Sequence, residues 1–315
     1  MAKNYYVSEL QGVIQILKET CKLLQRNKTI FLFITLATTT VYTLLIFANI
    51  FSLISLLQNL SFAAVSLLQM DPKAPEYLKQ VFKIEEKTFL IILIEFLYFL
   101  LTVMFSLLSM VSTIYVSSMS YLGKDITLKE LCLYIKQIWV RPMVTWFYSL
   151  LMSLGLLLLI LPEYIFLVIE RGSLIMLAVG IILLLSVTIL SFYLLLVWKV
   201  GMVTSVLEES CGLEALGKAE RLISGKKLVG FILMFLLEVP FNVVYLSIIS
   251  TNSSRTIPIQ FLVIFLAMIF QIWINIWSMM TYTVYYFECK EIHGEQVGLQ
   301  EEMGYTKVAT VPSFV

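Results

Sequence analysis

The sequence predicts an all-α integral membrane protein, and two features support that class. Of the 315 residues, 60% are hydrophobic and only 14% are charged, whereas about 25% of residues are charged in an ordinary soluble domain. Several apolar runs also reach the roughly 20 residues that a helix needs to cross a bilayer core about 30 Å thick. A membrane β-barrel requires short segments of alternating polarity, and runs such as 153–161 (SLGLLLLIL) do not alternate.

Six hydrophobic spans follow one another along the chain. We place them at about residues 30–51, 88–112, 143–161, 173–197, 228–250 and 259–287. The six-span domain therefore covers residues 30–287, between an amphipathic helix in residues 1–29 and a polar tail in residues 288–315. Residues 52–70 stay fairly apolar but contain two amide side chains. They form either an interfacial helix or an extension of the first span beyond the bilayer.

Prolines mark two of the breaks between spans. Residues 71–87 contain two prolines and eight charged residues, and we predict a loop there. Pro162 and Glu163 begin a second, shorter turn region. Proline lacks a backbone N–H group and is poorly tolerated inside helices, so both positions favour a break in the chain's helical structure.

Three amphipathic segments precede three of the spans, in residues 7–26, 124–140 and 203–227. In the last of them, Ser210 is a candidate N-cap, and four apolar side chains share one side of the predicted helix: Leu213, Leu216, Leu222 and Ile223. Each segment ends at a basic boundary, formed by Arg26 and Lys28, by Arg141, and by Lys226 and Lys227.

This arrangement divides the chain into three units of helix, span, turn and returning span. Internal repeats are a common way to build membrane folds. The alternative is convergence, because any short cytosolic loop tends to hold a basic amphipathic helix. Both explanations stay open at this point.

The distribution of basic residues predicts the orientation. With both termini in the cytosol, 16 Lys and Arg residues lie on the cytosolic side and 6 on the other, as the positive-inside rule requires. All four cysteines then lie in cytosolic segments, where thiols stay reduced. The sequon at Asn252 lies on the opposite side, where glycosylation is possible. We expect the endoplasmic reticulum or another secretory membrane, with the plasma membrane as the alternative.

Two motifs resemble those of a known superfamily. Residues 208–227 follow the pattern EE-x-x-GLEAL-x-x-A-x-x-L-x-x-GKK, and residues 154–166 (LGLLLLILPEYIF) are similar to an LG-x-LLL-IIPG segment, with Glu163 in place of glycine. Both patterns resemble the membrane-domain superfamily of glycerophosphoryl diester phosphodiesterases. The layout of residues 7–290 most resembles its plant branch of multi-pass proteins without the phosphodiesterase domain. The resemblance implies a membrane architecture and no particular activity.

Four polar side chains inside the predicted spans are candidates for a functional site, because polar groups in a membrane are costly: Glu95, Glu238, Asn242 and Asn275. No Lys or Arg is predicted at a comparable depth to pair with either carboxyl. The two carboxyls either form a protonatable or cation-binding pair in a transport path, or stay protonated and hydrogen-bond neighbouring helices. Buried amides most often make such interhelical hydrogen bonds.

The sequence does not predict an enzyme, a cofactor or a metal site. Hydrolases and transferases need a nucleophile, a base or a metal cluster, and the chain has one histidine and no CxxC pair. A net charge of +1 gives no reason to expect a nucleic-acid partner.

The basic residues Lys218, Arg221, Lys226 and Lys227 are expected to face membrane lipid or a cytosolic protein partner, or else to fix the packing of the span ends. Two functional hypotheses follow: a non-enzymatic membrane protein that organises partners or lipid, and a small-molecule or ion carrier.

Overall fold

A computed structural model describes residues 2–70, 75–169, 174–250 and 257–294, and every regular element in these ranges is a helix. The helices are α1 (Ala2–Arg26), α2 (Lys28–Leu68), α3 (Pro75–Tyr121), α4 (Leu128–Ile138), α5 (Val140–Ile169), α6 (Leu174–Leu207), α7 (Leu213–Ile223), α8 (Lys227–Leu237), α9 (Val239–Ser250) and α10 (Ile257–Ile292). Six stretches are long and apolar enough to cross a membrane: α2, α3, α5, α6, α8 with α9, and α10. The predicted all-α membrane class with six spans is confirmed.

Most spans are longer than the sequence predicted. The 41 residues of α2 measure about 60 Å at 1.5 Å per residue, so residues 52–68 extend the helix of the first span rather than form a separate helix. The loop predicted from residue 71 is wrong from residue 75 onwards, because α3 begins there with Pro75 at its first position, where a missing N–H group costs nothing. The turn predicted at Pro162 is also wrong, since α5 continues through it.

The chain divides into two compact units, residues 32–109 and residues 1–31 with 110–315. The smaller unit is the hairpin of α2 and α3, and polar contacts join its two helices. The Thr38 and Ser109 hydroxyls lie 2.9 Å apart, and the Gln80 amide donates to the Ser66 hydroxyl at 2.7 Å. Such interhelical hydrogen bonds hold helices together where lipid removes the hydrophobic driving force.

In the larger unit, each amphipathic helix packs against the end of a returning helix. Helix α1 packs against α10 and α8, and α7 packs against α6 and α10. Helix α4 contacts α3 through Tyr134 and Tyr115, whose rings stack with centroids 3.8 Å apart. Helices α4 and α7 thus each contact the returning helix that comes just before them in the chain. Helix α1, which comes first, contacts the last returning helix, α10. The threefold order of helix, span and returning span is present in the fold.

A glycine with a positive φ follows each returning helix: Gly123 after α3 (79°), Gly212 after α6 (61°) and Gly294 after α10 (69°). Glycine is the residue that adopts such backbone angles without strain. Gly123 and Gly294 each lie two residues beyond the end of their helix, where glycine commonly ends a helix. Gly212 lies five residues beyond α6 and begins α7 instead, so the helix-ending glycine is shared by two of the three units.

The segment 203–227 is not one helix, because α6 runs to Leu207 and α7 begins at Leu213. Gly212, not Ser210, is the N-cap residue of α7. The Ser210 hydroxyl is buried and finds no hydrogen-bond partner among the described residues. The apolar face is otherwise as predicted, with Leu216 and its neighbours buried, but Leu213 is 60% exposed.

We predict opposite effects for two alanine substitutions around α7. Gly212→Ala should destabilise the protein by about 1–3 kcal/mol, because its φ is positive and the new Cβ would lie 3.0 Å from the Tyr148 ring. Gly217→Ala is the matched control: no atom lies within 4 Å of its Cβ position, and alanine inside a helix is favoured by about 0.5–1 kcal/mol. Thermal unfolding in detergent measures both, and equal shifts would contradict the prediction.

Candidate functional site

A carboxyl and an ammonium group meet inside the membrane-spanning part of the larger unit. Lys199 Nζ on α6 lies 3.0 Å from Glu238 Oε1, and both side chains are largely buried. The hydroxyl of Ser278 on α10 donates to the same carboxyl oxygen at 2.7 Å. The Lys199 ammonium also lies 5.6 Å from the Trp198 ring centroid and 5.9 Å from that of Tyr282, distances at which cation–π attraction operates.

The expectation that Glu238 lacks a cationic partner is therefore wrong. The fourth span is predicted to end at residue 197, just before Lys199, but α6 continues for eight residues beyond Lys199, to Leu207. The uncharged run from Val200 to Leu207 is the signal that could have placed Lys199 inside the helix. Sequence reasoning missed Ser278 as well, because a single serine in an apolar helix carries no distinguishing pattern.

Glu238 occupies the break between α8 and α9. Its backbone N–H still bonds to Met234, but Pro240, two residues later, has no N–H group to continue the ladder. Asn242 bonds to the Glu238 carbonyl with both its backbone N–H, at 3.0 Å, and its side-chain amide, at 2.7 Å. Asn242 therefore donates to the backbone at the helix break rather than to the Glu238 carboxyl.

The other predicted intramembrane groups lie elsewhere. Glu95 accepts hydrogen bonds from the Asn49 amide at 3.1 and 3.2 Å within the smaller unit. Asn275 is exposed on the surface of α10. The structure thus brings Glu238 and Asn242 together and does not bring Asn275 to them.

A second charged cluster is built around Glu208, whose side chain is only 5% exposed. Its carboxyl contacts Lys218 at 2.6 Å and Lys290 at 2.9 Å, and accepts a short hydrogen bond from Tyr286. Burial by itself raises the pKa of the Glu208 carboxyl, but the hydrogen bonds from Lys218, Tyr286 and Lys290 outweigh it, so its pKa lies below the ordinary value. The cluster links α7 and α10 to the end of α6.

The four basic residues near α7 occupy different environments. Lys218 contacts Glu208, and Lys226 contacts the Glu288 carboxylate at 2.7 Å. Arg221 is exposed, and Lys227 is exposed with its ammonium 5.9 Å from the Tyr193 ring centroid. Their assignment to lipid or a partner stays a prediction, as does glycosylation of Asn252, which lies outside the described residues.

Basic residues at the three predicted boundaries contact the ends of the returning helices of their own units. Arg26 donates to the Gly123 carbonyl at 2.7 Å, and Arg141 to the Glu208 carbonyl at 3.3 Å. Lys226 contacts the Glu288 side chain on the last turn but one of α10. Carbonyls at a helix C-terminus are unpaired and carry the negative end of the helix dipole, so a cation stabilises them.

A family model described as a domain of unknown function, DUF8558, matches residues 5–304. The chain belongs to this family. No curated protein and no solved structure matches it. Because the DUF8558 match covers nearly the whole chain, the two charged sites and the three repeated helix ends all lie within the family's domain. Among the described residues, no group of three His, Cys, Asp or Glu side chains is placed to hold a metal ion.

We predict that Glu208→Gln destabilises this DUF8558 protein by about 3 kcal/mol, because it leaves two ammonium groups facing a neutral amide in a mostly buried site. Glu209→Gln is the control: that side chain is 75% exposed and lies 3.9 Å from Arg141, so its removal should change stability by less than about 0.5 kcal/mol. Urea or thermal unfolding in detergent compares them.

The same cluster gives a pH dependence. Because the folded pKa of Glu208 is below its ordinary value of 4.5, its stabilisation is complete above that pH and is lost as the pH falls through the folded pKa. The difference in melting temperature between the wild type and Glu208→Gln should therefore be constant from pH 8 to 6 and shrink below about pH 4.5. A difference that grows on acidification would contradict the lowered pKa.

Proposed function

We propose that this protein is a non-enzymatic multi-pass membrane protein that gathers anionic lipid at the surface of its amphipathic helices. The observation that supports this most directly is the exposed face of α4. Only Leu131 and Ile138 of α4 are buried, so most of the helix surface is free for contact with a membrane.

Helix α4 is stabilised by its own sequence. Thr127 and Glu130 form a capping box: the Glu130 carboxylate accepts the Thr127 N–H at 2.9 Å, and the Glu130 N–H donates to the Thr127 hydroxyl. Such a box satisfies two orphan donors and fixes the helix start. It also holds the Glu130 carboxylate in the first turn of α4, whereas Lys136 lies in the last turn.

The exposed face combines apolar and cationic strips. Leu128, Cys132 and Trp139 share one strip by their spacing, and Lys129 and Lys136 share the next. Helices that lie in a membrane interface have this combination, with tryptophan at headgroup depth and lysines near anionic lipid. The apolar face of α7, by contrast, is buried in the protein. The exposed face of α4 therefore fits lipid better than that of α7.

We predict that Lys129→Gln with Lys136→Gln lowers the enrichment of anionic phospholipid around the protein. Each lysine near the surface contributes about 1 kcal/mol, so the pair accounts for up to about 30-fold. The full chain is purified in nanodiscs of mixed lipid, and the bound lipid is measured by mass spectrometry. The matched control is Lys79→Gln with Lys83→Gln, two exposed lysines four residues apart on α3.

An equal loss in the control would show a general charge effect and overturn the proposal. Unchanged lipid together with the loss of a co-purifying protein from the α4 variant would favour a protein partner instead.

The predicted orientation and compartment form part of this proposal. The excess of Lys and Arg in the segments that hold α1, α4 and α7 supports cytosolic termini, in the endoplasmic reticulum or a later secretory membrane. Tags at both termini should be digested by protease added to sealed microsomes, whereas a tag inserted after Asn252 should be protected. The reverse pattern would contradict the orientation.

A carrier is the second candidate, and the Lys199–Glu238 pair beside a helix break favours it, because broken helices and intramembrane charges line many transport paths. If the protein is a carrier, Glu238→Gln abolishes flux in proteoliposomes while Glu95→Gln, in the smaller unit, serves as the comparison. Flux that ignores Glu238→Gln would remove the motivation for this candidate.

A further inference from the structure

A polar cavity lies in the larger unit, where the second half of α1 meets the ends of α3 and α10 and the start of α8. Its volume is about 620 Å³, within the roughly 300–1,000 Å³ of small-molecule sites. Six charged side chains line it: Glu19, Lys22, Arg26, Lys226, Glu288 and Glu291. Three are cationic and three are anionic, so the kind of ligand depends on how these charges are distributed.

The wall formed by α1 has a surplus positive charge. Lys22 pairs with Glu19 at 2.6 Å. Arg26 lies one turn further along the same face, and it donates to the Gly123 carbonyl at 2.7 Å and to the Ser120 carbonyl at 3.5 Å. These acceptors carry no formal charge, and the two bonds use only two of the five N–H donors of the guanidinium group. Among the described residues, Arg26 therefore keeps its charge without a carboxylate partner.

The wall formed by α10 and the start of α8 has a surplus negative charge. Glu288 and Glu291 lie three residues apart, and like charges at this spacing repel each other. Lys226 binds only one of them, through Glu288 Oε2 at 2.7 Å. Although the Glu288 side chain is only 10% exposed, its Oε1 remains accessible to solvent and accepts no hydrogen bond from the described residues. A cation in the cavity can therefore reach this oxygen and relieve the repulsion.

The negative side of the cavity is centred near Tyr121. The carboxylates of Glu19, Glu288 and Glu291 all act electrostatically on its hydroxyl group, and its ring stacks on Phe287 with centroids 4.6 Å apart. A single anion or a single cation would compensate only one wall of the cavity. A zwitterion, which carries both charges, compensates the two walls together.

The position of the cavity indicates which zwitterion it meets. Tyr121 and Ile292 both line it, and each is the last residue of a membrane-spanning stretch. Lipid headgroups lie just outside the hydrocarbon core, at the ends of such stretches. A headgroup phosphate accepts charge-assisted hydrogen bonds from guanidinium and ammonium groups. A primary ammonium group donates to carboxylates, whereas the quaternary ammonium of choline has no N–H group to donate.

We propose that this cavity binds a phosphoethanolamine group, with the phosphate at Lys22 and Arg26 and the ammonium group at Glu288 and Glu291. The site includes no residue of α4, and it selects a zwitterion rather than an anionic lipid. It is independent of the α4 surface, and neither proposal requires the other.

The ammonium end is tested with the full chain in nanodiscs that contain equal amounts of phosphatidylethanolamine and phosphatidylcholine. After extraction into detergent, the retained lipid is measured by mass spectrometry. The wild type should retain about tenfold more phosphatidylethanolamine, as expected for one charge-assisted hydrogen bond. Glu291→Gln removes the surplus carboxylate and should abolish most of this preference. Glu214→Gln, on an exposed position of α7 outside the cavity, should leave it unchanged. Equal retention of the two lipids by the wild type, or equal loss in both variants, would overturn the site.

The phosphate end is tested by Lys22→Gln. Both lipids carry the phosphate, so retention of both should fall by about fivefold, as expected for one lysine near the membrane surface, while the preference between them stays. The matched control is Lys18→Gln, which lies one turn earlier on α1, is exposed and is outside the cavity. Equal effects of the two substitutions would overturn the placement of the phosphate.

A competition experiment distinguishes a lipid headgroup from a free zwitterion. Displacement of phosphatidylethanolamine by soluble phosphoethanolamine would support the zwitterion site and identify the free molecule as an occupant. A lipid preference that soluble phosphoethanolamine does not reduce would support the same site and identify the phospholipid. Displacement by inorganic phosphate alone or by ethanolamine alone would overturn the zwitterion as the ligand.

Discussion

The larger unit depends on how the C-terminal ends of its three returning helices are stabilised. Each end leaves backbone carbonyls unpaired and concentrates negative partial charge. Arg26 and Arg141 donate directly to such carbonyls, and Lys226 binds a carboxylate near the third end. These ends are also the most buried parts of the protein: Tyr282, Tyr285 and Tyr286 of α10 are almost inaccessible. The charge pairing and the dense packing thus occur at the same place.

This arrangement explains why the amphipathic helices are needed. The spans expose large apolar side chains along most of their length, as lipid allows, and they gain little hydrophobic energy from one another inside a membrane. Beyond the hydrocarbon, the same apolar surface has to be covered. Helix α7 does this with Ala215, Leu216, Ala219 and Leu222, all buried. The hydrophobic effect therefore acts mainly at the end of the larger unit where α1, α4 and α7 pack.

The features that repeat along the chain were predictable, and those that depend on distant contacts were not. Apolar runs locate the spans because the free-energy cost of placing polar groups in hydrocarbon outweighs local helix preferences. Each of the six predicted spans appears in the fold. The basic boundaries at Arg26, Arg141 and Lys226 were also visible in the sequence, although their roles at the helix ends were not. Their partners lie 62 to 97 residues away, and no local pattern specifies them.

Helix ends were the weakest predictions for a related reason. Pro75 is the first residue of α3, whereas Pro162 lies in the interior of α5. Proline marks a helix start in water, but within a membrane the alternative to helix is an unsatisfied backbone, so the helix continues. The fourth span is predicted too short because a single charge commonly marks the membrane surface, whereas the pairing of Lys199 with Glu238 lowers the cost of a deeper position.

The Lys199–Glu238 pair also bears on the choice between a carrier and a lipid-organising protein. Together with the Ser278 hydroxyl, the two groups form a neutral set joining three helices at the break between α8 and α9. Replacing such a pair with apolar residues of similar size is often neutral or stabilising, so stability alone gives little reason for a charged pair here. Its geometric effect is different, because it holds α6, α8 and α10 at one level beside Trp198. A pair of this kind joins the three helices at one level, and that role needs no movement of solute through the protein.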